Sequence, residues 1–140
     1  MGSSLLVKVV HAVAGVLAIG SIMAGFVKLS PLLNSITHEE QVHKFATELY
    51  KPWDFLGLTP DQLRMLVGCA EMATGLGSLV KATRLASYVV MVVIYGGAVR
   101  THFALHDNNV GPAAVFLLLA CFCLGLTLRA PAKKPEAKAE

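Results

Sequence analysis

Residues 5–29 read LLVKVVHAVAGVLAIGSIMAGFVKL, an apolar run interrupted by only four polar side chains, Lys8, His11, Ser21 and Lys28. A helix needs about 20 apolar residues to cross the hydrocarbon core of a bilayer, so this run is long enough. The apolar core of a cleaved signal peptide is shorter, about 7–15 residues, and a small-residue cleavage site follows it. We therefore predict an uncleaved membrane-spanning helix over this run.

Three further apolar runs follow, and the composition of the whole chain agrees with them. Of its 140 residues, 55% are hydrophobic and 15% are charged, and the mean hydropathy is +0.62. Soluble domains usually carry about 25% charged residues. The predicted fold class is all-α, an integral membrane four-helix bundle in a single domain, residues 1–129. Its spans are expected at residues 5–29, 63–80, 85–103 and 112–128.

The polar stretch between the first two spans, residues 31–60, contains the start signal of a short helix. Thr37 can cap the first turn, and Glu40 three residues later completes a capping box. Apolar side chains then recur at helical spacing along one face, at Val42, Phe45, Ala46, Leu49 and Tyr50. We predict a short amphipathic helix over residues 38–50 that rests on the membrane surface or on the mouth of the bundle.

The distribution of Lys and Arg residues predicts how the chain is oriented in the membrane. Four spans place both termini on one side, which collects seven Lys and Arg residues against five on the other side. The positive-inside rule then favours termini in the cytoplasm or the matrix. The expected membrane is the endoplasmic reticulum or mitochondrial inner membrane in a eukaryote and the plasma membrane in a bacterium. The basic residues are scattered, so nucleic acid is not an expected partner. Residues 130–140 are Ala, Pro, Lys and Glu, which predicts a disordered charged tail.

Glu71 is the most informative residue of the second span, which opens on a second capping box formed by Thr59 and Gln62. A carboxylate at membrane depth is costly unless it is protonated or paired, and it marks function by default. Gly68 and Gly75 lie on the same helical face, and small residues let helices approach closely. This face is therefore expected to turn inward. A hydrogen bond that only fixes helix register is the structural alternative.

The third span carries a matching polar line, because Tyr95 and His102 are seven residues apart and share a face. Lys28 is a candidate counter-charge for Glu71. Glu71 is expected to lie too deep for it, so Tyr95 or His102 is the better partner. The four residues Glu71, Lys28, Tyr95 and His102 are predicted to line a polar intramembrane pocket that opens toward the first loop.

No cofactor or metal site is predicted. His102 and His106 have the i, i+4 spacing that can clamp a metal ion, but a good site needs a third or fourth ligand that the sequence does not identify. Two interfacial histidines at a helix end are the alternative. The sequence contains no phosphate loop, nucleophile elbow or haem-attachment motif, so no catalytic residue is assigned. A bound lipid or quinone is left open.

Several short motifs occur in an ordered set. They are GFVKLSP at residues 25–31, GCAEMATG at residues 68–75, His102 near the end of the third span, and Pro112-Ala113 at the start of the fourth. In this order they resemble the DoxX-like superfamily of small four-span membrane proteins, and within it the branch of the nicotinic acetylcholine receptor chaperone. The resemblance covers residues 5–128.

That resemblance implies a four-helix membrane bundle with Lys28 and Glu71 as its characteristic polar residues. It does not imply one activity. Some members of the superfamily assist the assembly of a receptor in the endoplasmic reticulum, and others are membrane subunits of quinone-linked oxidoreductases. Fold-level likeness alone is an associational argument for function.

Two functions follow as expectations. The favoured one is a non-enzymatic accessory subunit or assembly factor, chaperone-like, that packs against a larger membrane protein complex. The small-residue pairs Gly20 with Ala24 and Ala73 with Gly77 would allow a partner helix to approach, unless they serve only internal packing. The alternative is a quinone- or lipid-binding membrane subunit of an oxidoreductase, in which Glu71 or His102 exchanges protons.

Overall fold

The computed structural model describes residues 2–129, and every regular element in that part of the chain is helical. The all-α prediction is confirmed. The predicted tail, residues 130–140, lies outside the described residues. The α-helices of the described part are α1 Gly2–Leu29, α2 Ser35–Lys44, α3 Pro60–Leu79, α4 Arg84–Leu105 and α5 Val110–Arg129, with a π-helical turn at Phe45–Leu49 and a 3-10 helix at Lys51–Leu56.

Three helices are long and apolar enough to cross a membrane, which is compatible with an integral membrane protein. These segments are Val7–Leu29 in α1, Arg84–Leu105 in α4 and Val110–Arg129 in α5, with mean hydropathies of 2.0, 1.4 and 2.2. The helix α3 corresponds to the remaining predicted span, but it is not among the three. Arg64 and Glu71 lower the mean hydropathy of α3.

The helices α1, α3, α4 and α5 form the bundle, whose two ends differ. The chain turns from α3 to α4 at residues 80–83, and we call this end the turn end. The opposite end, where the first loop connects α1 to α3, is the loop end. The segment 35–56, called the roof segment below, contains α2, the π-helical turn and the 3-10 helix. Its π-helical turn contacts both α3 and α4 across the loop end.

The capping box predicted for α3 is confirmed, whereas α2 begins earlier than predicted. Thr59 Oγ1 accepts from the backbone N–H of Gln62 at 3.2 Å, and the Gln62 side chain accepts from the backbone N–H of Thr59 at 2.9 Å. In α2 the cap is Asn34, whose side chain accepts from the backbone N–H of Thr37 at 3.0 Å. Because Asn34 has an extended backbone and an acceptor oxygen, it starts the helix three residues before the predicted cap.

Glycines bring α1 and α3 into backbone contact. A Cβ atom added to Gly25 would lie 2.5 Å from the carbonyl oxygen of Gly68. A Cβ added to Gly75 would lie 2.9 Å from the carbonyl oxygen of Ala18. Only glycine allows two helices to approach this closely. The close approach fixes the register of α3 against α1 and so places the side chains near Glu71.

The hydrophobic core lies toward the turn end. It consists of buried side chains from α1, α4 and α5: Leu17, Tyr88, Met91, Tyr95, Ala120 and Cys123. Phe116 closes this core on the loop-end side, because its ring packs on Gly20 and lies 5.2 Å from the ring of Tyr95. Between Phe116 and the loop end, side chains do not fill the space, and a pocket remains.

Candidate functional site

A pocket of about 630 Å³ occupies the loop end of the bundle. Residues from α1, α3, α4, α5 and the roof segment line it, and most of its surface is apolar. Typical apolar members of the lining are Leu63, Val67, Ile94, Ala98 and Phe116. Small-molecule sites in proteins commonly have volumes of about 300–1,000 Å³ with a few polar groups on apolar walls, so this pocket has the size of a ligand site.

Lys28 and Glu71 form an ion pair in the pocket wall. Lys28 Nζ donates to Glu71 Oε2 at 2.7 Å and to the carbonyl oxygen of Ala24 at 3.2 Å. Their side chains are only 14% and 7% exposed. A buried charge requires a partner, and here the partner of Glu71 is Lys28 rather than the expected Tyr95 or His102. An ammonium group has three N–H donors, so one donor of Lys28 remains for a ligand.

Arg64 holds the backbone beneath this pair, and sequence reasoning missed it. Its side chain is buried and donates to the carbonyl oxygen of Lys28 and to Asp61, with Nε 3.0 Å from Asp61 Oδ1. A cation at the C-terminal end of a helix satisfies an otherwise unbonded carbonyl and interacts favourably with the helix dipole. The available signal was Asp61, three residues before Arg64, at the spacing of a helical ion pair.

Tyr95 reaches the pocket but its hydroxyl is bonded to α1. The hydroxyl lies 2.6 Å from Ser21 Oγ, and Ser21 Oγ donates to the carbonyl oxygen of Leu17 at 2.7 Å. Because Ser21 has one hydroxyl hydrogen, the Tyr95 hydroxyl is the donor to Ser21. Sequence reasoning recorded Ser21 only as an interruption of an apolar run. Its position on the same helix as Lys28 was the signal that could have suggested a role.

The pocket opens at the loop end beside three exposed lining residues, Lys44, Glu48 and Asn109, and we call this opening the mouth. His102 lines the pocket near the mouth and pairs with the loop that follows α4. Its Nδ1 donates to Asp107 Oδ2 at 2.7 Å, and Asp107 Oδ1 accepts from the backbone N–H of Asn109 at 2.8 Å. Partial burial raises the pKa of the Asp107 carboxyl, but the hydrogen bonds from His102 and Asn109 outweigh it and hold that pKa below its usual value. His102 is therefore oriented by Asp107 and does not contact Glu71.

His106 does not join His102 in a possible metal site. It is the residue that ends α4, with a left-handed backbone (φ 52°), and its ring lies 6.3 Å from the ring of Phe103. Among residues 2–129, no three His, Cys, Asp or Glu side chains come close enough together to hold a metal ion.

Trp53 attaches the roof segment to α4. Its Nε1 donates to Thr101 Oγ1 at 2.7 Å, and its ring packs against Gly97, where an added Cβ would lie 3.4 Å away. The guanidinium of Arg100 stacks on the same ring at 4.6 Å from its centroid. A cation on an indole face adds favourable energy to this attachment. Trp53 and Phe45, which is buried, cover the pocket from the loop end.

No protein-family model matches this chain, and no curated protein sequence matches it. Within an apolar volume, the pocket offers a hydrogen-bond donor on Lys28, a carboxylate on Glu71 and hydroxyl and imidazole groups toward its mouth at Thr101 and His102. Such a set binds and orients a polar group attached to an apolar body.

The small residues predicted for helix packing fall into three groups. Gly20 and Gly77 face side chains of α5 and α4 within the bundle, in addition to the α1–α3 contacts of Gly68 and Gly75. Ala24 lines the pocket. Ala73, by contrast, is exposed on the outer surface of α3.

Proposed function

We propose that this chain is a four-span membrane protein that binds a quinone or another lipid in its loop-end pocket, as a membrane subunit of an oxidoreductase. The pocket supports this function, because its apolar walls surround the buried Lys28–Glu71 pair. An amphiphile would place its body against the apolar walls and its polar group beside the free donor of Lys28. A non-enzymatic helper is the second candidate function.

The proposal includes α3, Pro60–Leu79, as a fourth span. Its 20 residues correspond to about 30 Å of helix, the thickness of the hydrocarbon core. Its three charged residues all have partners: Glu71 pairs with Lys28, and Arg64 pairs with Asp61 of the same helix. Paired charges are the form in which ionisable groups are tolerated at membrane depth. Four spans place both termini on one side, for which we propose the cytoplasm or the matrix.

The motif resemblance to the DoxX-like superfamily also favours this proposal. The two residues that the resemblance marks as characteristic, Lys28 and Glu71, are the two that pair in the pocket wall. Some members of that superfamily are membrane subunits of quinone-linked oxidoreductases. The same chemistry would suit a bound lipid whose polar group accepts one hydrogen bond.

The test uses Trp53, the only tryptophan of the chain, as a reporter at the pocket. Purified protein in detergent is titrated with decylubiquinone, because quinones quench indole fluorescence on contact. We expect saturable quenching. Ala70→Phe fills the pocket wall and should weaken binding at least about tenfold, equivalent to 1.4 kcal/mol. Ala73→Phe is the matched control on the exposed face of the same helix and should bind normally.

Unsaturable quenching of equal strength in all three proteins would contradict quinone binding. In parallel, mass spectrometry of lipids retained by the purified protein identifies a copurifying quinone or lipid. Its retention by Ala73→Phe and loss from Ala70→Phe would assign it to the pocket.

A second candidate function, the accessory subunit or assembly factor, is favoured by the exposed outer face of α3. Cys69 and Ala73 are exposed there and are small, so a partner helix could approach closely. This function predicts that Ala73→Phe reduces copurification of a partner complex from native membranes, while Glu71→Gln does not. Loss of the ligand in Glu71→Gln with unchanged partner binding would instead favour the pocket as the functional site.

A further inference from the structure

On α3 and α4, two of the residues that line the pocket also lie on the outer surface of the bundle. Leu66 on α3 and Val93 on α4 both line the pocket. Both are also largely exposed, Leu66 by 56% and Val93 by 70%. A side chain that lines a cavity and also faces outward marks the rim of an opening. We call the gap bordered by Leu66 and Val93 the seam.

Both ends of the gap between α3 and α4 are closed. At the turn end, Gly77 of α3 packs directly against the Ser87 side chain of α4. At the loop end, Phe45 of the roof segment is 6% exposed and Trp53 is hydrogen-bonded to Thr101. The two helices therefore meet at the turn end, and the roof segment covers the gap between them at the loop end. The seam lies between these closures, on the side of the bundle.

The surface around the seam is apolar. Exposed side chains next to it on α3 and α4 include Met65, Val89 and Val90. In the four-span arrangement this surface faces hydrocarbon, whereas the mouth at the roof segment carries exposed charges at Lys44 and Glu48. A molecule arriving through the seam therefore comes from lipid, and one arriving through the mouth comes from water.

The charges of the pocket restrict the polar group of the ligand. Lys28 is paired with Glu71 at 2.7 Å, and His102 with Asp107 at 2.7 Å. Within the described residues, no buried side-chain nitrogen or oxygen lacks a hydrogen-bond partner. Away from the mouth, where Lys44 and Glu48 lie, a charged headgroup would meet no unpaired opposite charge and would lose its hydration without compensation. A neutral group that accepts a hydrogen bond loses much less.

We propose that the pocket takes up a neutral amphiphile directly from the bilayer interior, through the seam between α3 and α4. This inference rests on the proposed function, because it presumes a ligand in the pocket and a membrane around α3. It adds the path by which the ligand enters the pocket and the requirement that the ligand be uncharged. Leu66 and Val93 act on the passage of the ligand and not on its final position.

The experiment measures the rate of Trp53 quenching when decylubiquinone is mixed rapidly with the protein in liposomes. Val93→Phe and Leu66→Phe narrow the seam, and we expect both the association and the dissociation rate to fall about tenfold, a barrier increase of 1.4 kcal/mol. The dissociation constant should stay the same, since a rim affects both directions equally. Val93→Ala widens the seam and should raise both rates. Leu118→Phe, exposed on α5 outside the pocket, should leave the rates unchanged.

Asn109→Phe tests the alternative route, because Asn109 is exposed and lines the mouth. Slower rates in Asn109→Phe, with normal rates in the seam variants and in Val93→Ala, would overturn uptake through the seam. Tight binding of a permanently charged decyl-trimethylammonium probe that displaces the quinone would overturn the neutral class. Absence of saturable quenching in the wild-type protein would instead contradict the proposed function itself.

Discussion

The turn end and the loop end of the bundle are built from the same four helices in opposite ways. At the turn end, Leu17 and Met91 are completely buried, and apolar side chains fill the space between the helices. At the loop end, a pocket of about 630 Å³ lies between the helices, and its wall contains the Lys28–Glu71 ion pair. Dense packing stabilises a fold, whereas a cavity sacrifices contacts. The difference suggests that one end carries stability and the other carries function.

The largest loss of stability is expected when one charge of the Lys28–Glu71 pair at the loop end is removed. Lys28→Met leaves Glu71 buried without a partner and should lower the free energy of unfolding by about 3 kcal/mol. The double variant Lys28→Met with Glu71→Leu should recover most of that loss, because an apolar pair of similar size needs no partner. Thermal unfolding in detergent measures both. Equal destabilisation in the single and double variants would contradict this explanation. It would show that the ion pair itself stabilises the fold, and that the loss does not come from leaving Glu71 without a partner.

Two glycine substitutions compare a position in close helix contact with a position that faces open space. Gly75→Ala would place its Cβ 2.9 Å from the backbone oxygen of Ala18 and should destabilise the protein by about 2 kcal/mol. Gly96→Ala on α4 meets no atom within 4 Å and should be neutral or stabilise by up to about 1 kcal/mol. Unfolding of the two variants side by side is the measurement. Comparable losses in both would mean that helix contact does not account for the Gly75 effect.

Loss of the Trp53–Thr101 contact should affect local opening of the roof segment more than it affects the global stability of the protein. Trp53→Phe removes the hydrogen bond to Thr101, worth about 1 kcal/mol. We expect faster amide hydrogen exchange in residues 45–56 with little change in the helices of the turn end. Thr101→Val removes the acceptor and should produce the same local change. If exchange accelerates equally at both ends, the roof segment does not open on its own.

The smallest expected effect is the pH dependence of the His102–Asp107 contact. The pKa of Asp107 is lowered in the folded protein, so its contribution is present above about pH 3.9, the ordinary Asp value, and disappears as the pH falls through the lower folded value. Asp107→Asn should therefore be less stable than wild type at pH 6 and approach wild type at low pH. A difference in melting temperature that stays constant over this range would exclude the contact as its cause.

The sequence predicted the helices better than their relative positions. Thr59 and Gln62 carry a capping box whose effect is local, and α3 begins where it predicts. The partner of Glu71 was wrong because depth was judged within each span separately. Arg64, one turn into α3, bonds the carbonyl oxygen of Lys28 near the end of α1. The helix α3 therefore starts about one turn beyond the end of α1, and this offset brings Lys28 within reach of Glu71.

The shape of the pocket was harder to predict than the polar residues that line it. The four predicted pocket residues all line it, since polar residues inside apolar spans mark an interior face. Its shape depends on how α3 and α4 are placed relative to each other, which no single helix encodes. Trp53 and Phe45 of the roof segment also contribute, and their positions follow from contacts with α4 and α3 rather than from local pattern.

The π-helical turn at Phe45–Leu49 constrains the length of the chain as well as its composition. Such a turn holds one more residue than an α-helical turn. Deleting a single residue there would restore regular α-helix and rotate everything that follows by about 100° about the helix axis. The indole of Trp53 would then point away from Thr101, although every contacting residue would still be present. Insertions and deletions in this segment should therefore be tolerated less well than substitutions.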